Sequence, residues 1–252
     1  MRRFAYLLLM LFLTGGCKKD TSITAVQRSF SETDLGICQN APCSQVSIIY
    51  PEYSGKDPII NSINKQIESS IIAALFLGED AAPAANSIEA AAKQFILAYR
   101  DLKNEFEFEA PYEANIEVVE SFRNAQLLSL EMDTYLFTGG AHGYASTQFL
   151  NHDLKTGREL TLKELVKKYP DFESFAEKTF REQFHIPSGD NINSTGFWFE
   201  NDQFYLPNSF GFTEEGFVVV YNPYDIASFA DGSIELTIPF DQVRPYLTLP
   251  MP

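Results

Sequence analysis

The stretch Leu128-Ser129-Leu130-Glu131-Met132-Asp133-Thr134-Tyr135-Leu136-Phe137 alternates in period two, with Leu128, Leu130, Met132, Thr134 and Leu136 on one side. That period belongs to a strand with one buried face. The run ends in Thr138-Gly139-Gly140-Ala141-His142-Gly143, after which Tyr144 to Leu150 alternates again; upstream, Ile116 and Val118 alternate with acids. Residues 114–154 therefore read as a meander of three antiparallel strands, and the glycines read as a tight connection that needs positive φ.

On the N-terminal side, Gln45 to Tyr50 reads as a strand closed by Pro51. Asp57 is placed to cap a helix whose first turn holds Pro58 and whose stripe is Ile60, Ile63, Ile67 and Ile71, with Gly78 as its stop. Asn86, with Glu89 three positions on, gives a capping-box pattern for a second amphipathic helix carrying Ile88, Ala92, Phe95, Tyr99 and Leu102. On the C-terminal side, Lys155-Thr156-Gly157 is a turn, Thr161 and Glu164 form another capping box, and Asp171 is placed to cap a helix turning Phe172, Phe175, Ala176 and Phe180 inward. The last third predicts strands over 197–200, 203–206, 210–213, 216–221 and 234–238. Its crowded aromatics read as sheet core; a carbohydrate-stacking platform would need several rings on one exposed face. The fold class is thus α+β: an antiparallel sheet, made of the meander plus C-terminal hairpins, packed with several amphipathic helices.

The first residues carry a separate message. Met1-Arg2-Arg3 precedes ten apolar residues, Phe4 to Leu13, and then Thr14-Gly15-Gly16-Cys17. Ten apolar residues are half of the roughly twenty that a membrane-spanning helix needs, so residues 1–16 read as a signal peptide. The small residues ending in Cys17 resemble a lipoprotein processing site, with Cys17 as the lipidated residue, although Thr14 stands where Leu or Val is usual. Residues 17–35, polar and aperiodic, read as a lipidated tether, and 36–252 as a single α+β domain. The expected address is a cell-envelope lipoprotein, at the outer membrane or periplasmic face. The membrane is then a partner through the lipid anchor alone.

Losing Arg2 and Arg3 moves the formal charge from −15 to −17. Such a surface repels nucleic acid and steers basic partners inward. Cys38 and Cys43 bracket a Pro42-containing turn, and in an oxidising compartment this pair is expected to close a six-residue disulfide loop.

Catalytic constellations are thin. His142 and His152 flank one strand and fall at its opposite ends, roughly 30 Å apart at strand rise, which argues against joint metal ligation. There is no Gly-x-Ser-x-Gly elbow, and the glycine run lacks the spacing of a phosphate loop. No metal and no cofactor is expected.

Tyr135 to Gly143, followed by Asn151-x-Asp153-Leu154-x-Thr156-Gly157-x-x-Leu160-x-Leu162, resembles the signature region of a bacterial extracytoplasmic family of unknown function. That family is shared by the sensor domain of the lysozyme-responsive anti-sigma-V factor and the non-catalytic part of peptidoglycan deacetylase C. Phe217 to Ala227, with Gly232 and Ile238-Pro239-Phe240, is similar to a second family block; Tyr50-Pro51, Asn61 and the Ile-rich helix resemble the first half. The resemblance implies two family segments, about 45–125 and 126–247, an envelope location, and binding of peptidoglycan or of a basic envelope-active protein such as lysozyme. It makes Gly139, Gly140, His142, Gly143, Asp153 and Tyr224 a candidate ligand surface. Missing the family's metal-binding deacetylase motifs and a sigma-binding segment, the chain is expected to be non-catalytic. The alternative is a cell-wall hydrolase or metal-dependent enzyme using His142.

Overall fold

The computed structural model describes residues 23–55, 57–78, 82–106 and 110–252; the expected signal peptide, 1–16, and Cys17 lie outside the described residues. Among the described residues, two sheets and five α-helices make an α+β fold. The first sheet has the order β1 (Thr24–Ser31), β2 (Gln45–Ser54), β3 (Glu113–Arg123), β4 (Leu127–Phe137), β5 (Tyr144–Asp153). The second holds β6 (Phe210–Phe212), β7 (Gly216–Tyr221) and β8 (Ile234–Pro239).

The meander is present as expected, with β3–β4 and β4–β5 antiparallel. β2 and β3 pair in parallel, and the crossover between them is made by α1 (Ile59–Ala74) and α2 (Ile88–Glu105). Parallel pairing demands such a connection. Val46, Ile48, Ile116, Val118, Leu128, Leu130, Met132 and Leu150 face the helices' Ile60, Ile63, Ile67, Ile71, Phe95 and Ile96 in one core.

Five sequence expectations are corrected. Residues 24–31 are not tether: Thr24, Val26 and Phe30 suit extended backbone, and the segment pairs antiparallel with Ser47 to Ser54 of β2. Strand β2 runs past Pro51 to Ser54; its pairing with β3 ends at Ile49, so the missing proline N–H leaves that ladder intact. The cap of α2 is Ser87, whose hydroxyl accepts from the Ala90 N–H at 3.1 Å, rather than Asn86. Residues 197–206 form no strand: Asn201 and Asp202 take φ of 54° and 57°, and the segment wraps α4 (Tyr169–Gln183) with Phe197, Phe199 and Phe204 against Phe180. That helix also starts two residues before the expected Asp171, because Pro170 fits its first turn.

A bulge in β3 between Glu120 and Phe122 explains how one strand serves two cores. It reverses the side-chain parity, so Val118 joins the helix-side core and Phe122 the second core with Phe172, Phe180, Phe212, Phe217 and Tyr221. Leu127 and Leu128, adjacent in β4, likewise belong to different cores. The second sheet lies on the far side of the first: Val218 and Val220 pack on Phe149, while Phe217, Val219 and Tyr221 turn to α4. The short helices α3 (Leu162–Leu165) and α5 (Phe240–Val243) close this second core, and α3 opens on the Thr161–Glu164 capping box expected from sequence.

The Cys38–Cys43 disulfide is formed, with Cα atoms 5.5 Å apart. Arg100 of α2 holds the loop down, donating to the carbonyls of Ile37 and Pro42, each at 2.7 Å. No helix among the described residues is long and apolar enough to cross a membrane.

Candidate functional site

The β4–β5 turn sits at one end of the first sheet. Gly139 and Gly140 have φ of 102° and 92°, the left-handed conformation that glycine supplies without steric cost. Gly143 is needed for a different reason: a Cβ there would stand 2.5 Å from the Tyr135 ring. His142 is exposed; its Nδ1–H donates to the Gly143 carbonyl at 2.9 Å, and its ring stacks on Phe229 with centroids 3.9 Å apart. Phe229 in turn stacks on Tyr224 at 5.8 Å.

The loop carrying Tyr224 is locked to β5 and to itself. Asn222 exchanges two hydrogen bonds with the Thr147 backbone, of 2.8 and 3.1 Å, and the Asp225 carboxylate accepts from the Asn222 N–H at 2.8 Å. Tyr144 Oη donates to the Pro223 carbonyl at 3.4 Å. His142 and Tyr224, far apart in sequence, therefore share one aromatic stack through Phe229, a residue the sequence reading did not select.

Beside this stack, the face of the first sheet left open by the second forms a cleft of about 310 Å³, lined by Ser47, Asn115, Glu117, Asp133, Tyr135, Thr147 and Ser233. Cross-strand register puts these residues together: Ser47 pairs with Asn115 and Asn115 with Tyr135, while Glu117 pairs with Asp133 and Asp133 with Thr147. Thr147 Oγ1 donates to Asp133 at 2.6 Å. The neighbouring Glu131 carboxyl is raised above the usual carboxylate range by burial, then by Asp133 and Glu235. The cleft sets two carboxylates and several hydroxyl and amide groups beside apolar Ile49, Ile116 and Ala145, so it can offer both hydrogen-bond acceptors and apolar contact. Alternation alone marked these acids as solvated strand residues, so only register could have found them.

The remaining expected residues lie elsewhere. Asp153 is at the opposite end of β5, where its carboxylate accepts from the Lys155 N–H at 2.7 Å and the Thr156 hydroxyl at 3.0 Å. Gly157 completes that turn with φ of 70°, and a Cβ there would stand 3.0 Å from the Ile59 backbone. The second histidine, His152, pairs with Leu128 in the interior, and burial pushes its pKa down to about 4. No group of three or more His, Cys, Asp or Glu that could hold a metal occurs among the described residues.

Comparison with known proteins fits this layout. A family model described as deacetylase PdaC matches residues 37–145, and one described as a protein of unknown function, DUF3298, matches residues 159–241. No curated protein matches the chain. Among solved structures, a DUF3298 family member from Bacteroides fragilis superimposes with a TM-score of 0.68 at 20% identity, covering 90% of this chain and 94% of that one. A DUF3298 family protein from Pseudomonas aeruginosa gives a TM-score of 0.61 at 19% identity, with the same coverage. At these identities the likeness is one of fold. The His142–Phe229 stack joins one matched segment to the other, and the chain carries a segment similar to the PdaC family model followed by one similar to the DUF3298 model.

Proposed function

We propose that the protein is a non-catalytic binding module of the bacterial envelope, anchored through lipid on Cys17 and presenting the end of the molecule that holds His142 and Tyr224 to peptidoglycan. The observation that carries this reading is the polarity of the fold. The described chain enters at Ile23, whose carbonyl accepts from Arg123 at the end of β3. Strand directions put Ile23, Ser54, Arg123 and Asp153 at one end of the first sheet and the β4–β5 turn at the other. Eleven residues of β4 separate the two ends by about 34 Å. A lipid on Cys17, six residues before Ile23, lies within about 20 Å of the chain's entry, so the anchor holds the Asp153 end inward and the aromatic, acid-lined end outward.

A second reading, a basic envelope-active protein as ligand, is favoured by the charge of −17 after processing and by Glu117 and Asp133 in the cleft. Retention of the full-length protein, solubilised in detergent, on purified peptidoglycan sacculi and on immobilised lysozyme, at low and at high salt, tests both. Salt-tolerant retention on sacculi supports the first, and salt-sensitive retention on lysozyme alone supports the second. Retention on neither at low salt removes both ligands. The lipid itself is tested by mass spectrometry of the processed protein, where an unmodified Cys17 would remove the anchor.

A further inference from the structure

Among the described residues, five aromatic side chains are prominently exposed: Phe106, Tyr144, Trp198, Tyr205 and Tyr224. Four of the five belong to residues that lie in, or hydrogen-bond to, one six-residue loop, 222–227. Tyr224 belongs to it and is 54% exposed. Tyr144 Oη donates to the Pro223 carbonyl and Tyr205 Oη to the Asp225 carbonyl, at 3.4 and 3.3 Å. The backbone N–H of Trp198 donates to the Ile226 carbonyl at 3.0 Å, which brings that residue's main chain to the same loop. Since exposed aromatics scatter singly on an ordinary surface, four residues of this kind meeting at one short loop are a built feature.

The loop is closed by hydrogen bonds of its own. Its turn is closed by Asp225 N–H to the Asn222 carbonyl at 3.0 Å and Tyr224 N–H to the Ala227 carbonyl at 3.1 Å. Tyr224 itself has φ of 76°, a conformation that a bulky residue rarely adopts. The strained backbone turns the ring onto Phe229 instead of into the core. Because the Tyr144 and Tyr205 hydroxyls are tied to backbone carbonyls, these two present ring faces rather than free polar tips.

Charge narrows the ligand. Asp225 lies near both phenols, raising the Tyr144 and Tyr205 pKa after burial has done so, and Glu200 adds to it at Tyr205. Carboxylates among exposed rings, on a chain this acidic, disfavour sulfated or uronic-acid polymers. They suit a ligand with apolar C–H faces to stack on rings and hydroxyl or amino hydrogens to donate to a carboxylate. A pyranose chain of amino sugars has both.

We infer that Tyr144, Trp198, Tyr205 and Tyr224, gathered around Asp225, form a stacking surface for a glycan strand of amino sugars, bound more tightly as more of its amino groups are free. This rests on the reading of the chain as a peptidoglycan-facing module and assigns that contact to one surface.

Trp198 is the only tryptophan of the chain, so its emission reports on this surface directly. The full-length protein in detergent is titrated with β-1,4-linked N-acetylglucosamine oligomers, with their de-N-acetylated counterparts and with alginate oligomers. Expected are a saturable change in Trp198 emission with both amino-sugar series, tighter for the de-N-acetylated one, and none with alginate. Tyr224→Ala, on an exposed ring, should weaken binding at least tenfold, and Asp225→Asn should remove the preference for free amines. Unmoved emission with both amino-sugar series, an equal response to alginate, or unchanged affinity in Tyr224→Ala each overturns the inference. If sacculi still retain Tyr224→Ala as well as the parent, the envelope-binding reading stands and this surface is not its seat. If lysozyme is captured while the oligomers leave emission unchanged, the surface is likewise rejected.

Discussion

His142 lies nearly flat on Phe229, with ring centroids 3.9 Å apart and planes 20° from parallel. The pair fastens the β4–β5 turn to the segment between β7 and β8, and so joins the halves of the chain at the end farthest from Ile23. A histidine whose Nδ1–H is given to the adjacent Gly143 carbonyl and whose face is covered by a phenyl ring is held as a packing group. His142→Ala should cost about 1 kcal/mol, the usual worth of an aromatic pair, in urea denaturation. His142→Phe should recover most of it, since a phenyl ring can keep the stack on Phe229.

Ser129 and Asn151 form the other join. Both are buried; the Ser129 hydroxyl donates to Asn151 Oδ1 at 2.9 Å and accepts from the Phe212 N–H at 3.0 Å, and Asn151 Nδ2 donates to the Phe210 carbonyl at 2.7 Å. This network ties the first sheet to β6. Ser129→Ala leaves the Phe212 N–H and one Asn151 acceptor unpaired in the interior, so it should destabilise by about 1–3 kcal/mol. A double-mutant cycle with Asn151→Ala should show the two losses to be strongly non-additive.

The loop 38–43 is fixed twice, by its disulfide and by Arg100. The chain-entropy model gives a six-residue loop about 2 kcal/mol, so Cys38→Ser/Cys43→Ser should lower stability by about that amount. Arg100→Ala should add to the loss in the parent, where it frees the Ile37 and Pro42 carbonyls. It should matter less once the disulfide is gone, because a mobile loop no longer presents both carbonyls together. Thermal unfolding of the four proteins checks this coupling.

What was legible in the sequence followed the residues whose environment is local. The period-two runs of 114–154 and the isoleucine stripe of α1 appear where alternation and helical spacing put them, since one buried face suffices to write each pattern. Ser129 breaks the rule: it reads as a solvent-side residue of β4 but is buried, because a second sheet covers a face that alternation assigns to water. The 197–206 segment failed for the converse reason. Its aromatics carry strand propensity, yet packing on Phe180 and positive φ at Asn201 and Asp202 bend it around α4. The candidate surface was half visible. His142, Tyr224 and Asp225 stand in motifs, whereas Phe229 and Asp133 gain meaning only from tertiary neighbours. Gly143 and Gly157 show why such motifs are informative: the first makes room for the Tyr135 ring, the second for the Ile59 backbone.

His152 makes the fold sensitive to acid. It is 0% exposed, and neither ring nitrogen has a hydrogen-bond partner among the described residues. Burial lowers its pKa from 6.5 to about 4. The unfolded chain then takes up a proton as pH falls through 6.5, while the native state refuses it until about pH 4. Stability contributed by the neutral ring is therefore complete above about pH 7 and is lost progressively down to about pH 4, by on the order of 3 kcal/mol in total. Glu159, bridged to His152 across the backbone, and Glu131 oppose this trend, because burial raises their carboxyl pKa and the native state gains protons first. Replacing the ring separates the two effects. His152→Leu keeps the apolar contact and removes both unpaired nitrogens, so it should match or exceed the parent at pH 7.5. Its advantage should grow by roughly 2 kcal/mol between pH 7 and pH 5, read as the difference between urea-unfolding free energies at each pH. A difference that stays flat over this window would mean that His152 is protonated in the native state or hydrated within it.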